Sequence, residues 1–84
     1  MTLIEQFEQA SKDVHILKER PGNDILLNLY SLHKQASVGD VFGDKPGMFD
    51  FIAAAKYNAW ATKKGLTKEE AMQQYVDLIN DLKD

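Results

Sequence analysis

Hydrophobic positions recur at helical spacing along most of this chain. Leu3, Phe7, Ala10, Val14 and Leu17 step by four and three, which puts one apolar stripe on one side of a helix. Thr2 followed by Glu5 has the spacing of a capping box, in which hydroxyl and carboxylate satisfy free backbone N–H groups at a helix start. Pro21 and Gly22 break the pattern, so the first helix is expected to end near Leu17 or Lys18. After that turn Asn23 or Asp24 can cap a second helix, in which Ile25, Leu26, Leu29, Leu32, His33 and Ala36 trace a broad apolar surface up to Gly39. A third helix, FDFIAAAKYNAWA, is expected to open at Met48 or Asp50, to turn Phe51, Ala55 and Trp60 inward, and to close at Gly65 behind Lys63 and Lys64. Thr67 with Glu70 repeats the capping box and starts a fourth helix, with Ala71, Tyr75, Leu78 and Leu82 as its stripe and Met72 and Ile79 beside it.

Between the second and third helices, residues 38–47 hold three Gly, two Asp and one Pro, a loop longer than the usual connection in a bundle. No segment alternates as a strand, and neither repeat nor interior linker divides the chain. The fold class expected is therefore all-α, a four-helix bundle formed as one domain over residues 1–84.

Composition narrows the function classes. At 84 residues and 44% apolar the chain suits a single small core. With no Cys there is no disulfide framework and no thiolate metal site. Apolar runs such as Ile25 to Leu27 and Ile52 to Ala55 fall far below the roughly 20 residues that span a bilayer, and the first residues lack a basic, then apolar, secretory leader. A soluble, cytoplasmic protein is the expectation. Ten basic against thirteen acidic side chains, interspersed to a net charge of -3, make no polybasic footprint for nucleic acid or an anionic membrane.

Catalytic motifs are missing. There is no Cys nucleophile, no G-x-S-x-G elbow and no glycine-rich phosphate loop, and His15 and His33 lack the H-x-x-x-H spacing that places two metal ligands on one helix face. Glu5, Glu8, Glu69 and Glu70 lie in or near first turns, where the helix dipole favours negative charge without any general-acid role. The chain is read as a non-enzyme that holds no metal and no cofactor.

One tract stands apart, from Tyr30 to Trp60, where aromatic rings lie beside isolated lysines. Tyr30, His33 and Lys34 are about one helical turn apart, so a ring, an imidazole and an ammonium are expected to converge on one face. Lys56 precedes Tyr57 and Trp60 in the same manner. Such groups suit a flat base joined to a phosphate, yet the spacing fits two solvated lysines and two core aromatics equally well.

The order of residues adds more than the spacing. Tyr30-Ser31, Lys34-Gln35-Ala36, Val38-Gly39-Asp40, Pro46-Gly47-Met48, Asp50-Phe51, Ala55-Lys56 and Ala59-Trp60 resemble the acyl-CoA-binding protein family. Phe7, Val14, Leu17 and Pro21 before this run, and Gly65, Thr67-Lys68-Glu69, Ala71-Met72 and Tyr75 after it, stay in register, so the resemblance covers essentially the whole chain. It implies an up-down-down-up four-helix bundle that binds medium- to long-chain fatty acyl-CoA thioesters and carries them unchanged, as a monomer that serves acyl-CoA-using enzymes.

By the same resemblance Tyr30 is expected to meet the adenine, Lys34 and Lys56 the ribose 3'-phosphate, and Tyr75 the ligand from the fourth helix, with His15 and His33 completing the head-group set. Ser11, Leu26, Leu27, Leu29 and Ala55 are expected to line the acyl groove, where each buried methylene contributes about 0.8 kcal/mol.

Several positions depart from the family's frequent residues. His15 stands where a lysine is common late in the first helix, and Ile52 where a lysine often follows the Asp-Phe pair. His33 replaces a frequent tyrosine, Tyr57 a frequent tryptophan and Ser11 a frequent alanine. Lys34 and Lys56 are thus expected to carry more of the phosphate contact. Two imidazoles near a polyphosphate predict binding that strengthens as pH falls through about 6.5, where an unperturbed imidazole gains charge. The absent cations also admit a different function, a helical protein-interaction module with weak acyl-CoA binding.

Overall fold

Each expected helix forms, and what starts it can be read at its boundary. The computed structural model describes residues 1–47 and 49–83. Helix α1 spans Leu3–Asp13. Extended Thr2 caps it, its hydroxyl accepting from the Glu5 N–H at 3.2 Å while the Glu5 carboxylate accepts from the Thr2 N–H at 3.0 Å. Those bonds from Thr2 hold the Glu5 carboxyl below its ordinary value.

The first helix is shorter than its stripe suggests: Val14–Ile16 tighten into a single 3-10 turn and Leu17 is already extended. Val14 still packs on the core, because a tighter last turn changes the pitch without turning the stripe away.

Helix α2, Asn23–Ser37, begins at extended Gly22 with no side-chain cap, so neither Asn23 nor Asp24 caps it; Asn23 is its first helical residue. Helix α3, Phe51–Ala61, starts where the Asp50 carboxylate accepts from the Ala53 N–H at 3.1 Å. Met48, the other candidate start, lies outside the described residues. Helix α4, Lys68–Lys83, opens on the second capping box, with Thr67 and Glu70 exchanging bonds of 3.0 and 3.1 Å.

Side-chain pairs give the topology. Phe7 meets Tyr75 and Asp13 pairs with Lys83, so α1 and α4 run parallel. Tyr30 meets Lys56 and Lys34 meets Trp60, so α2 and α3 also run parallel. His33 meets Tyr75 while Ile25 and Leu82 share the wall of one cleft, so α2 runs against α4. The order is up-down-down-up. The long connection between the end of α2 at Ser37 and the start of α3 at Phe51 lets α3 run parallel to α2.

The core joins α1, α2 and α4. Phe7 and Ala10, Leu29, Leu32 and Ala36, and Ala71, Tyr75, Val76 and Ile79 form one buried cluster, with Ile79 wholly enclosed. On α4 the stripe is rotated from expectation: Val76 and Ile79 are buried while Leu78 and Leu82 are half-buried, because α4 packs on α1 and α2 at once. Buried Asp13 is neutralised by Lys83 and accepts from Gln9 at 2.9 Å, and these bonds hold its carboxyl below the usual range.

Helix α3 supplies nothing to that cluster. Trp60 alone is buried on it, and Phe51, expected to face inward, is 76% exposed, while Ala53, Ala54 and Ala55 turn to the half-buried side.

Candidate ligand-binding site

The parallel register of α2 and α3 crosses two rings with two cations. The Lys56 ammonium lies 5.3 Å from the centre of the Tyr30 ring, and the Lys34 ammonium lies 4.8 Å from the Trp60 ring. In each pair the α3 partner follows the α2 partner by the same number of residues, so one helix presents ring then cation and the other cation then ring. Tyr30 and Lys34 are half-buried and Lys56 is exposed, which leaves both ammonium groups within reach of an anion from solvent.

The loop locks this register. Trp60 donates its indole N–H to the Gly39 carbonyl at 2.8 Å, and Gly39 adopts φ +103°, a turn that a residue with a Cβ rarely makes. Phe42 packs edge-on against Trp60 at 5.7 Å, and the Tyr57 hydroxyl donates to the Gly43 carbonyl at 3.1 Å. The Asp40 carboxylate accepts from the Gly65 N–H at 2.9 Å and the Gln35 amide at 2.8 Å, tying the end of α2 to the turn before α4. These bonds, the Gly65 N–H first, lower the Asp40 pKa. Gln35 is wholly buried, and its amide also donates to the Leu66 carbonyl at 2.9 Å.

The expected convergence of Tyr30, His33 and Lys34 does not occur. Successive residues of a helix point about 100° apart, so His33 turns toward α1 and α4 while Tyr30 and Lys34 turn toward α3. The His33 ring lies 5.1 Å from Phe7 and 5.7 Å from Tyr75, themselves 5.2 Å apart edge to face. Burial in this trio, and secondarily the charge of Lys34, push the His33 pKa below its ordinary 6.5.

Tyr75 is 4% exposed, and burial raises its pKa, so it stays a neutral donor. Its hydroxyl has no protein partner among the described residues, while the enclosed polar atom without one is Gln35 Oε1. The Tyr75 hydroxyl is therefore the edge of a core ring left free at the surface.

The remaining candidates divide. Ser11 is half-buried on α1 and spends its hydroxyl on the Glu8 carbonyl at 2.7 Å. Leu26, Leu27 and Ala55 are half-buried and offer apolar surface, whereas Leu29, at 4% exposed, belongs to the core and has little surface for an acyl chain. His15 and His33 are both exposed, but His15, on the 3-10 turn, has none of the ring contacts that hold His33. Ile52 is exposed where a cation was expected from the resemblance.

A cleft of about 750 Å³ lies at another end of the bundle, between the 3-10 turn, the start of α2 and the end of α4, and contains none of the expected head-group residues. The ring-and-ammonium surface of α2 and α3 is the better candidate, because it alone combines π-faces with cations. Trp60 and Phe7 were the partners that sequence reasoning missed. Only the parallel register of α2 and α3 reveals the first, and only α1 packing on α4 the second.

Crossed rings and ammonium groups between α2 and α3, with half-buried Leu26, Leu27 and Ala55 on the same two helices, suit a four-helix protein that binds an amphipathic anion with a flat head group. Comparison with known proteins is more specific. A family model described as acyl CoA binding protein matches residues 4–79. The chain is 51% identical over 82 residues to acyl-CoA-binding protein homolog 1 of Caenorhabditis elegans, covering 98% of this chain and 93% of that protein. Its fold matches the crystal structure of Oryza sativa acyl-CoA-binding protein 2 with a TM-score of 0.92 and 37% identity, over 96% of this chain and 90% of that one. It is also 47% identical over 78 residues to enoyl-CoA delta isomerase 2 of Rattus norvegicus, covering 93% of this chain but only 20% of that enzyme. The chain belongs to the acyl-CoA-binding protein family.

Proposed function

We propose that this protein binds medium- to long-chain fatty acyl-CoA thioesters and carries them, without conversion, within the cytoplasm. One observation carries the reading: in a chain of this family, α2 and α3 cross Tyr30 with Lys56 and Lys34 with Trp60 on one face. Tyr30 offers its ring to the adenine, Lys34 and Lys56 contact the 3'-phosphate, and the Tyr75 hydroxyl supplies a donor from α4. His33 adds an imidazole from the side of α2 that faces Tyr75, and His15 contributes from the turn after α1. Ser11, Leu26, Leu27 and Ala55 offer the acyl chain its apolar surface, and burying a dozen methylenes at about 0.8 kcal/mol each makes chain length the dominant part of affinity.

The protein acts as a monomer, needs no cofactor, and hands its cargo to acyl-CoA-using enzymes. The isomerase similarity supports no catalysis here, because it covers a fifth of that enzyme's length. No described helix is long and apolar enough to cross a membrane.

Calorimetric titration with palmitoyl-CoA, free CoA and palmitate tests this. Palmitoyl-CoA should bind far more tightly than either fragment. Failure of all three to bind below roughly 100 μM, about -5.5 kcal/mol, would discard the carrier.

A further inference from the structure

Both cations of the proposed site have ring partners within the protein itself, and the two partners differ. Lys34 stands over Trp60, which is only 6% exposed and can offer no face to a ligand. Lys56, itself exposed, stands over half-buried Tyr30, the ring that would receive the base. An ammonium held over the ring, 5.3 Å from its centroid, lies on the face that a stacked base would use. Ammonium and base therefore compete for one face of Tyr30.

We propose that Lys56 is a phosphate-released plug on Tyr30, a specificity device that favours the adenine when the same nucleotide brings a ribose 3'-phosphate to draw the ammonium away. This rests on the acyl-CoA reading above and goes beyond it, because Lys56 then acts against a ligand that lacks the ribose 3'-phosphate as well as for one that carries it. The exchange is local. Lys56 sits on the exposed side of α3 with a flexible four-carbon stem, so its ammonium can leave the ring for a phosphate without moving the helix. An ester that lacks only the ribose 3'-phosphate keeps its diphosphate but must displace the ammonium without the 3'-phosphate contact proposed for Lys56. Lys34 has no such double role, because the ring beneath it is closed to ligands.

The two roles make opposite predictions for one substitution. Lys56→Met removes the phosphate contact and also uncovers Tyr30. Palmitoyl-CoA should bind about tenfold or more weakly, in line with the loss of a charge-assisted contact. Palmitoyl-dephospho-CoA should bind about two- to fivefold more tightly, which is the attraction of an exposed ammonium for a ring converted to an equilibrium ratio. Lys34→Met should weaken palmitoyl-CoA binding and give no gain for the dephospho ester. In a Tyr30→Leu background the gain from Lys56→Met should vanish, since there is no ring to uncover.

Isothermal titration of both esters into the wild type and these variants, with circular dichroism confirming the helical fold, decides the matter. Dephospho-ester affinity that is unchanged or lower in Lys56→Met overturns the plug, as does an equal gain in Lys34→Met. Wild type that binds palmitoyl-CoA, with no gain in the dephospho arm, sinks the plug and leaves the carrier standing. Wild type that binds neither ester sinks both.

Discussion

Helices α1, α2 and α4 contrast sharply with α3. The first three bury a continuous apolar cluster centred on Ile79, Ala71, Leu32 and Ala36, while α3 lies on α2 and buries only Trp60. What holds α3 is of another kind: two ammonium–ring contacts, an indole bond to Gly39 and a phenol bond to Gly43. Hydrophobic burial is strong and non-directional, whereas the contacts of α3 are individually weak but specific in geometry. The lesson is a division of labour within one small fold. Stability resides in the three-helix body, and the binding groups sit at the seam where α3 is laid on, formed of polar and aromatic contacts that a ligand can exchange.

The largest effect should come from damaging the body. Ile79 is wholly buried, so Ile79→Ala should cost about 2–5 kcal/mol through lost burial and a residual cavity, read as a lower urea midpoint with little change in slope. An effect below about 1 kcal/mol would deny that the cluster is the main source of stability.

Damage to the seam should cost less. Trp60→Phe keeps most of the ring but strands the Gly39 carbonyl, at about 1–3 kcal/mol, and should weaken palmitoyl-CoA binding by disturbing Lys34. If stability fell as far as in Ile79→Ala, α3 would have to be counted within the core.

The smallest effect lies at the border of the two regions, at His33. Its folded-state pKa is depressed below 6.5, so the fold favours the neutral ring. Its contribution is fully present above pH 6.5 and is lost as pH falls below that value, where the unfolded chain binds the extra proton. The carboxyls of Asp13 and Asp40, also lowered but from 3.8, lose theirs only in stronger acid, so the two windows separate. The urea midpoint should therefore fall slightly between pH 7.5 and 5.5 in wild type and remain flat in His33→Phe. The same depression moves the His33 part of any acid-strengthened ligand binding below the pH of about 6.5 expected from sequence. A midpoint rising toward pH 5.5 would contradict the sign.

Much of the body was legible in the chain. Thr2 with Glu5 and Thr67 with Glu70 cap helices as their spacing requires, and Phe7, Ala10, Leu32 and Ala36 are buried as their periodicity demands. The misses share a cause. Whether Phe51 faces inward and which side of α4 is deepest depend on which helix lies alongside, which local pattern does not encode. The Asn23 cap failed similarly, because extended Gly22 took the boundary. At the site, Tyr30, Lys34 and Lys56 could be named from the order of residues, but their pairing could not. Spacing on α2 alone placed Lys34 with Tyr30 and His33, whereas the parallel neighbour hands Tyr30 to Lys56 and Lys34 to Trp60.

Amide hydrogen exchange, residue by residue along α3 and α4, tests the central claim most directly. Before loading, the amides of residues 55–61 should exchange faster than those of residues 75–79, because α3 buries Trp60 alone whereas α4 buries Ala71, Tyr75, Val76 and Ile79. Palmitoyl-CoA at 100 times its Kd should then slow the α3 amides by about a hundredfold, since α3 cannot open without releasing a ligand that it grips. Equal protection of α3 and α4 before loading, or α3 rates that do not respond to palmitoyl-CoA, would contradict a binding seam laid on a stable body.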